Sequence, residues 1–254
     1  MAIKQCLIYC RCGGENVSDE LHRQLASLIG KFNLDVFELH DLCAYSINEK
    51  EVLNSISEKY PKKIVMACYP RAVKSLLAQG NIDLGDYDFI SFKELNSVQI
   101  ESKLKNDFGL EKGEAQYRVL ENSLDVPAWF PVIEESRCTI CGKCARFCLF
   151  GVYKYDKKNL NVVNPLACKN LCPACGRACP SMAIMFPRLA EKTTLAGAEP
   201  GTFTLNTEQT NLLGQLQNRN RNRKSILREG LMQQAEEERR KALEEFKNIS
   251  TRKK

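Results

Sequence analysis

Two cysteine runs decide how this chain is read: Cys138-Thr-Ile-Cys141-Gly-Lys-Cys144-Ala-Arg-Phe-Cys148 and Cys168-Lys-Asn-Leu-Cys172-Pro-Ala-Cys175-Gly-Arg-Ala-Cys179-Pro180. A cubane iron–sulfur cluster needs four thiolates around a roughly tetrahedral set of irons. Three cysteines in a tight loop can wrap three corners, but the fourth must approach from elsewhere. Two runs of this kind solve the problem by exchange, each lending its last cysteine to the other cluster. On that scheme Cys138, Cys141, Cys144 and Cys179 hold one [4Fe-4S] cluster, and Cys168, Cys172, Cys175 and Cys148 hold a second. Two zinc sites are the competing reading, but zinc loops rarely show two interleaved four-cysteine runs ending in Cys-Pro.

The block resembles the bacterial two-cluster ferredoxins over residues 137–186, including the apolar Met182-Ala183-Ile184 after the final Cys-Pro. That resemblance implies an α+β ferredoxin-like domain, two [4Fe-4S] clusters and electron transfer. The sequence departs from the pattern twice. Leu149 stands where a proline usually follows the first run, and three residues, not two, separate Cys168 from Cys172. The longer spacing is also that of radical S-adenosylmethionine enzymes. Against that reading, Cys148 is available as a fourth ligand, and the 79 residues after Cys175 are too few for the barrel such enzymes build.

Outward from this block, the 254-residue chain has ordinary globular composition, 44% hydrophobic and 27% charged, which excludes wholesale disorder. No apolar run approaches the roughly 20 residues of a membrane helix, so membrane insertion is not expected. The N-terminus reads as a strand and not as a signal peptide. A cytoplasmic, reducing location is therefore expected, where thirteen cysteines mean metal or redox chemistry more often than disulfides.

Residues 1–106 alternate strand and helix signals. Strands are expected at 3–10, 34–39, 63–68 and 87–92, and helices at 18–32, 49–60, 70–79 and 93–106. This alternation implies a small doubly wound α/β domain with a parallel sheet. Residues 107–136 read as a linker, 137–188 as the ferredoxin block, and 189–254 as a polar linker followed by a basic helical tail. Cys10 ends the first strand and Cys12 follows it; Cys43 lies just past the second strand, and Cys68 ends the third. All four fall at the carboxyl edge of the expected sheet, where open α/β folds place their ligands, and would suit a third [4Fe-4S] cluster. Cys6, mid-strand, reads as a buried structural thiol. Two alternatives stand beside the third cluster: thiols without metal, and a Cys10/Cys12 dithiol exchanging with disulfides.

Residues 3–78 also resemble the N-terminal segment of the A subunit of heterodisulfide reductases. The shared pieces are Cys10-Arg-Cys12-Gly13-Gly14-Glu-Asn, Asp41-Leu42-Cys43 and Ala67-Cys68-Tyr69-Pro70-Arg71. The resemblance implies an iron–sulfur cluster on Cys10, Cys12, Cys43 and Cys68. The flavin-binding part of that subunit does not carry over. No Gly-x-Gly-x-x-Gly follows a strand, so neither flavin nor NAD is expected. The Gly13-Gly14 pair could nest an anion, but a plain turn explains it. His22 and His40 read as structural, and no catalytic constellation is recognisable.

Residues 217–254 carry twelve basic and six acidic side chains, while residues 1–216 are formally neutral. Arg219, Arg221, Arg223 and Lys224 alternate with asparagines, yet no aromatic interleaves with them, which argues against nucleic acid. A thin apolar stripe, Leu227, Leu231, Ala235, Leu243, Phe246 and Ile249, suggests that the tail docks a protein redox partner. The expected function is that of a non-catalytic iron–sulfur electron-transfer subunit serving a partner redox enzyme. The alternative is a thiol- or disulfide-reducing enzyme working at Cys10/Cys12.

Overall fold

The structure, a computed structural model, describes residues 5–12, 17–124, 128–200 and 231–251. The Gly13-Gly14 turn, the Arg/Asn run and Leu227 lie outside the described residues, and of Ile249 only the backbone is described.

Five parallel strands form the central sheet: β1 (Gln5–Cys10), β2 (Asp35–Leu39), β3 (Lys62–Ala67), β4 (Tyr87–Ser91) and β5 (Gln116–Leu120), in the order β4-β3-β1-β2-β5. In β1, Ile8 stands between Phe37 of β2 and Val65 of β3. Strands β1 and β3 are buried along nearly their whole length, as unbroken apolar runs in a parallel sheet require. The crossovers are helical: α1 (Asp19–Ile29), α2 (Leu42–Asn48), α3 (Lys50–Lys59), α4 (Pro70–Gln79) and α5 (Ser97–Ser102), the last running into a π-helical turn over Lys103–Asp107. The Ser18 hydroxyl accepts from Leu21 N at 3.2 Å and starts α1. Pro70 opens α4, where a missing N–H costs nothing. From β1 the chain passes to β2 on one side, then crosses back to β3 on the other. The gap between the ends of β1 and β3 is therefore the topological switch point.

Two stretches differ from the sequence expectation. Part of 107–136, read as a linker, is β5, which lies against β2 at the sheet edge. The second crossover holds two helices instead of one, and Cys43 sits in the first turn of α2.

The cysteine-rich block follows. Its elements are β6 (Val132–Ile133), α6 (Lys143–Phe147), a hairpin of β7 (Tyr153–Tyr155) and β8 (Leu160–Val162), α7 (Ala174–Arg177) and β9 (Ile184–Met185), with β6 antiparallel to β9. Its hold on the sheet domain is polar and specific. The Gln79 side chain, at the end of α4, donates to Pro131 O and accepts from Ile133 N, both at 3.1 Å. Arg71, also on α4, donates to Glu134, Met182 O, Thr194 O and Ala198 O. Gly197 makes this approach possible: its φ is +110°, and a Cβ there would lie 2.5 Å from Ala72 Cβ.

The last element is α8 (Met232–Thr251), packed on α7. Ala235 and Ala242 are buried, Glu238 pairs with Arg177 at 2.8 Å, Glu245 with Lys169 at 3.1 Å, and Arg239 lies over the Phe147 ring. The buried face of this part of the tail is thus engaged within its own chain. Among the described residues, no helix is long and apolar enough to cross a membrane.

Candidate metal centres

None of the thirteen cysteines is in a disulfide, and twelve of them line three separate cavities in groups of four. Each group is one of the quartets expected from sequence.

The N-terminal cavity, about 330 Å³, is lined by Cys10, Cys12, Cys43 and Cys68. Cys10 is the last residue of β1 and Cys68 directly follows β3, so the cavity sits on the switch point. Cys43 reaches it because of an unusual corner. Asp41, between β2 and α2, has φ +97°, a conformation costing roughly 1–3 kcal/mol for a non-glycine residue. Its carboxylate accepts from Cys43 N at 3.0 Å and pairs with Arg188 at 2.9 Å, both side chains being buried. Pro187 and Arg188, at the end of the cysteine-rich block, complete the wall. Burial, with repulsion from Cys12, pushes Cys10 well above the ordinary thiol range. Burial and Asp41 do the same to Cys43, and Cys68 is pushed up to about 11.

The second pair of cavities shows the exchange of last cysteines. One, about 290 Å³, is lined by Cys138, Cys141, Cys144 and Cys179, with Thr139, Lys143 and Leu160 among its other walls. The other, about 350 Å³, is lined by Cys148, Cys168, Cys172 and Cys175. The short helices α6 and α7 cause the swap. Each contains the third cysteine of its run and carries the chain away, so that Cys148, at the C-cap of α6, and Cys179, just past α7, enter the neighbouring cavity. Both loops turn through a left-handed residue immediately before their second cysteine, Ile140 at φ +51° and Leu171 at φ +59°. The extra residue of the second run is taken up before that turn, where Cys172 N donates to Lys169 O at 3.2 Å. Gly142 is required by space as well as by its φ of +67°, since a Cβ would meet the Tyr155 ring at 2.3 Å.

Burial pushes Cys144 and Cys168 up to about 12 and Cys175 well above the ordinary thiol range. Thiols raised by burial in this way stay neutral by themselves. They become thiolates together only around a cationic centre that repays their repulsion. Among the described residues, no three of His, Cys, Asp and Glu converge closely enough to hold a single metal ion. Thiols spread around a cavity suit a multi-iron cluster, whose ligands bind different irons, better than zinc, whose ligands all reach one ion at about 2.3 Å.

Groups that sequence reasoning missed surround the thiols. Tyr153 OH donates to Cys175 Sγ at 3.0 Å, and Arg239 and Ala242 of α8 help close the same cavity. The Trp129 indole stacks on Phe186 at 5.2 Å, and its buried N–H finds no acceptor among the described residues. An orphan donor of this kind costs about 1–3 kcal/mol unless a bound group accepts from it. Cys6 is fully buried in β1 with its pKa raised to about 12, apart from all three cavities. His22 stacks on Tyr9, whose hydroxyl lies 3.1 Å from its Nδ1, and His40 pairs with Glu121; neither lines a cysteine cavity.

No family model matches the chain, and no solved structure matches it. A curated protein of Methanocaldococcus jannaschii, named as an uncharacterized ferredoxin, is 28% identical over 118 residues, which is 45% of this chain and 79% of that protein. The chain is thus similar over nearly half its length to a ferredoxin, which supports iron–sulfur electron transfer at the level of a family.

Proposed function

We propose that the chain is an iron–sulfur electron-transfer protein with three [4Fe-4S] clusters that exchanges electrons with a protein redox partner. The carrying observation is that each cysteine quartet lines a cavity of its own. Cys138, Cys141, Cys144 and Cys179 would hold the first cluster, Cys148, Cys168, Cys172 and Cys175 the second, and Cys10, Cys12, Cys43 and Cys68 the third. When bound, each cluster supplies one-electron redox chemistry; the chain supplies ligation, exclusion of water and the hydrogen bonds that tune potential. Residues 137–188 act as a ferredoxin-like domain on this reading. The resemblance of residues 3–78 to the heterodisulfide reductase segment supports the third cluster. A Cys10/Cys12 catalyst is disfavoured. Both thiols are buried and the Cys10 pKa is raised, whereas attacking thiols are accessible and shifted down.

Iron and sulfide analysis of anaerobically prepared protein tests the proposal. About twelve of each per chain are expected from three cubanes. About eight would remove the N-terminal cluster, and zinc in place of iron would overturn the whole reading.

A further inference from the structure

We infer that the surface around the first cavity is the docking site for an acidic one-electron carrier protein, a refinement that rests on the electron-transfer reading above. Residues 137–188 hold nine Lys or Arg and a single acid, Asp156. Two oxidised clusters at about −2 each would leave this block positive. Asp156 is committed to its own turn, accepting from the backbone N–H groups of Lys158 and Asn159 at 3.0 and 2.6 Å and from the Asn159 amide at 3.3 Å.

Four of the nine, Lys143, Arg146, Lys157 and Lys158, border the first cavity, whereas Arg137, Lys169, Arg177 and Arg188 are paired with Glu134, Glu245, Glu191 and Glu238, and Asp41. Lys143 lines the first cavity. Arg146 donates to Cys141 O at 2.9 Å and lies over the Tyr155 ring. Tyr155 OH donates to Ile140 O at 3.3 Å, which pins the β7–β8 hairpin over the cysteine loop. Lys157 and Lys158 follow within three residues of Tyr155 and are exposed, and Leu160 on the return strand lines the cavity. Amid these cations Ile140 is 39% exposed. Glu135, exposed near Cys138, is the countercharge on this side. An apolar centre inside a charged rim is the anatomy of a transient protein interface, and its sign selects an acidic partner.

The other two cavities are less accessible to a partner. Helix α8 lies over the second, and Pro187 and Arg188 wall the third. Nucleic acid is the less favoured occupant, because single strands need open aromatic faces to stack on. The aromatic of this rim, Tyr155, has Arg146 over its ring and its hydroxyl engaged.

The test uses the full chain, cluster-loaded and reduced anaerobically, mixed in stopped flow with flavodoxin as an acidic acceptor or cytochrome c as a basic one. The rate to flavodoxin should fall about tenfold from low to high ionic strength, while the rate to cytochrome c should not fall. Lys157→Glu/Lys158→Glu should lower the flavodoxin rate about tenfold at low salt. Lys31→Glu/Lys62→Glu, the same charge change placed next to the amino ends of β2 and β3, should alter it less than about twofold. Equal effects of the two pairs, or none from the Lys157/Lys158 pair, overturn the docking surface. So does tighter binding of a fluorescent single-stranded oligonucleotide that the Lys157/Lys158 pair abolishes while the flavodoxin rate stands. Iron and sulfide are measured on the same samples. Their absence overturns the underlying electron-transfer reading, whereas their presence with salt-independent rates overturns the docking surface alone.

Discussion

Replacing Arg71 should uncouple the sheet domain from the cysteine-rich block, and its contacts allow the cost to be worked out. The side chain is 2% exposed. It donates to Glu134 Oε2 at 2.7 Å and to the carbonyls of Met182, Thr194 and Ala198 at 2.5, 2.8 and 3.3 Å. Arg71→Met keeps much of the stem and removes every donor. Glu134 loses least, because it is one-fifth exposed and keeps Arg137 at 3.3 Å. The carbonyls lose charge-assisted bonds worth about 1.5–3 kcal/mol each, partly recovered where water can enter. Breaking a buried pair costs about 3–5 kcal/mol. We take about 4 kcal/mol, a fall in Tm of roughly 8–16 °C for a chain of this size. Arg71→Lys keeps the charge but not the fork, and should lose about half as much. Thermal and urea denaturation of anaerobic, cluster-loaded protein measures both. Hydrogen exchange at Ala196 and Gly197, whose N–H groups bond to Thr193 O and Thr194 O, should quicken in the Met variant. A loss below about 1 kcal/mol for Arg71→Met would refute the reasoning, since it would mean that water replaces all four bonds at no cost.

Three further outcomes are expected. Tyr153→Phe removes the hydrogen bond to Cys175 Sγ and should lower the potential of the second cluster by roughly 30–60 mV at unchanged iron content, the equivalent of about 0.7–1.4 kcal/mol of differential hydrogen-bond strength; a redox titration followed by electron paramagnetic resonance reads it. Cys68→Ser should cost the protein about four irons, while Cys6→Ser, remote from the cavities, should cost none; the opposite pattern in an iron assay would reassign the ligands. Truncation after residue 230 removes α8, leaves Arg177 with Glu191 as its remaining partner and uncovers the second cavity. Anaerobic iron content should hold, but bleaching in air should quicken severalfold, and an unchanged bleaching rate would show that the helix shields nothing.

What could be read from sequence divides along physical lines. Strands β1 and β3 were legible because buried parallel strands are unbroken apolar runs, and β2 and β4, which carry Glu38 and Asp88, were legible from their place between helix signals. Strand β5, Gln116-Tyr-Arg-Val-Leu120, was not: as an edge strand it buries little, with Val119 more than half exposed, so it lacks that run. Helix α2 spans seven residues, too few to show a helical period, and follows a left-handed aspartate that no local rule anticipates. That the cysteines gather in these groups around three cavities was legible because their spacing is written in the chain itself. Their surroundings were not, since Arg188 meets Asp41 across 147 positions. The basic rim was hidden by averaging: neutrality over residues 1–216 conceals a strongly basic block set among compensating acids elsewhere.

The C-terminal helix shows the same limit in one element. Hydropathy picked out Ala235, Leu243 and Phe246 within its contact stripe; Ala235 is buried, but Phe246 is 55% exposed, and Ala242, outside that stripe, is buried. Between those alanines on the same helical face lies Glu238, 20% exposed. A glutamate there reads as solvated, and in isolation it would be. It can be buried because Arg177, 61 residues earlier, is held in place on α7 and shared with Glu191. A charged residue faces inward when a fixed opposite charge awaits it, and hydropathy scores a residue without its partner. The helix thus turns Arg239 and Ala242 toward this chain's second cysteine cavity, while Phe246 stays exposed.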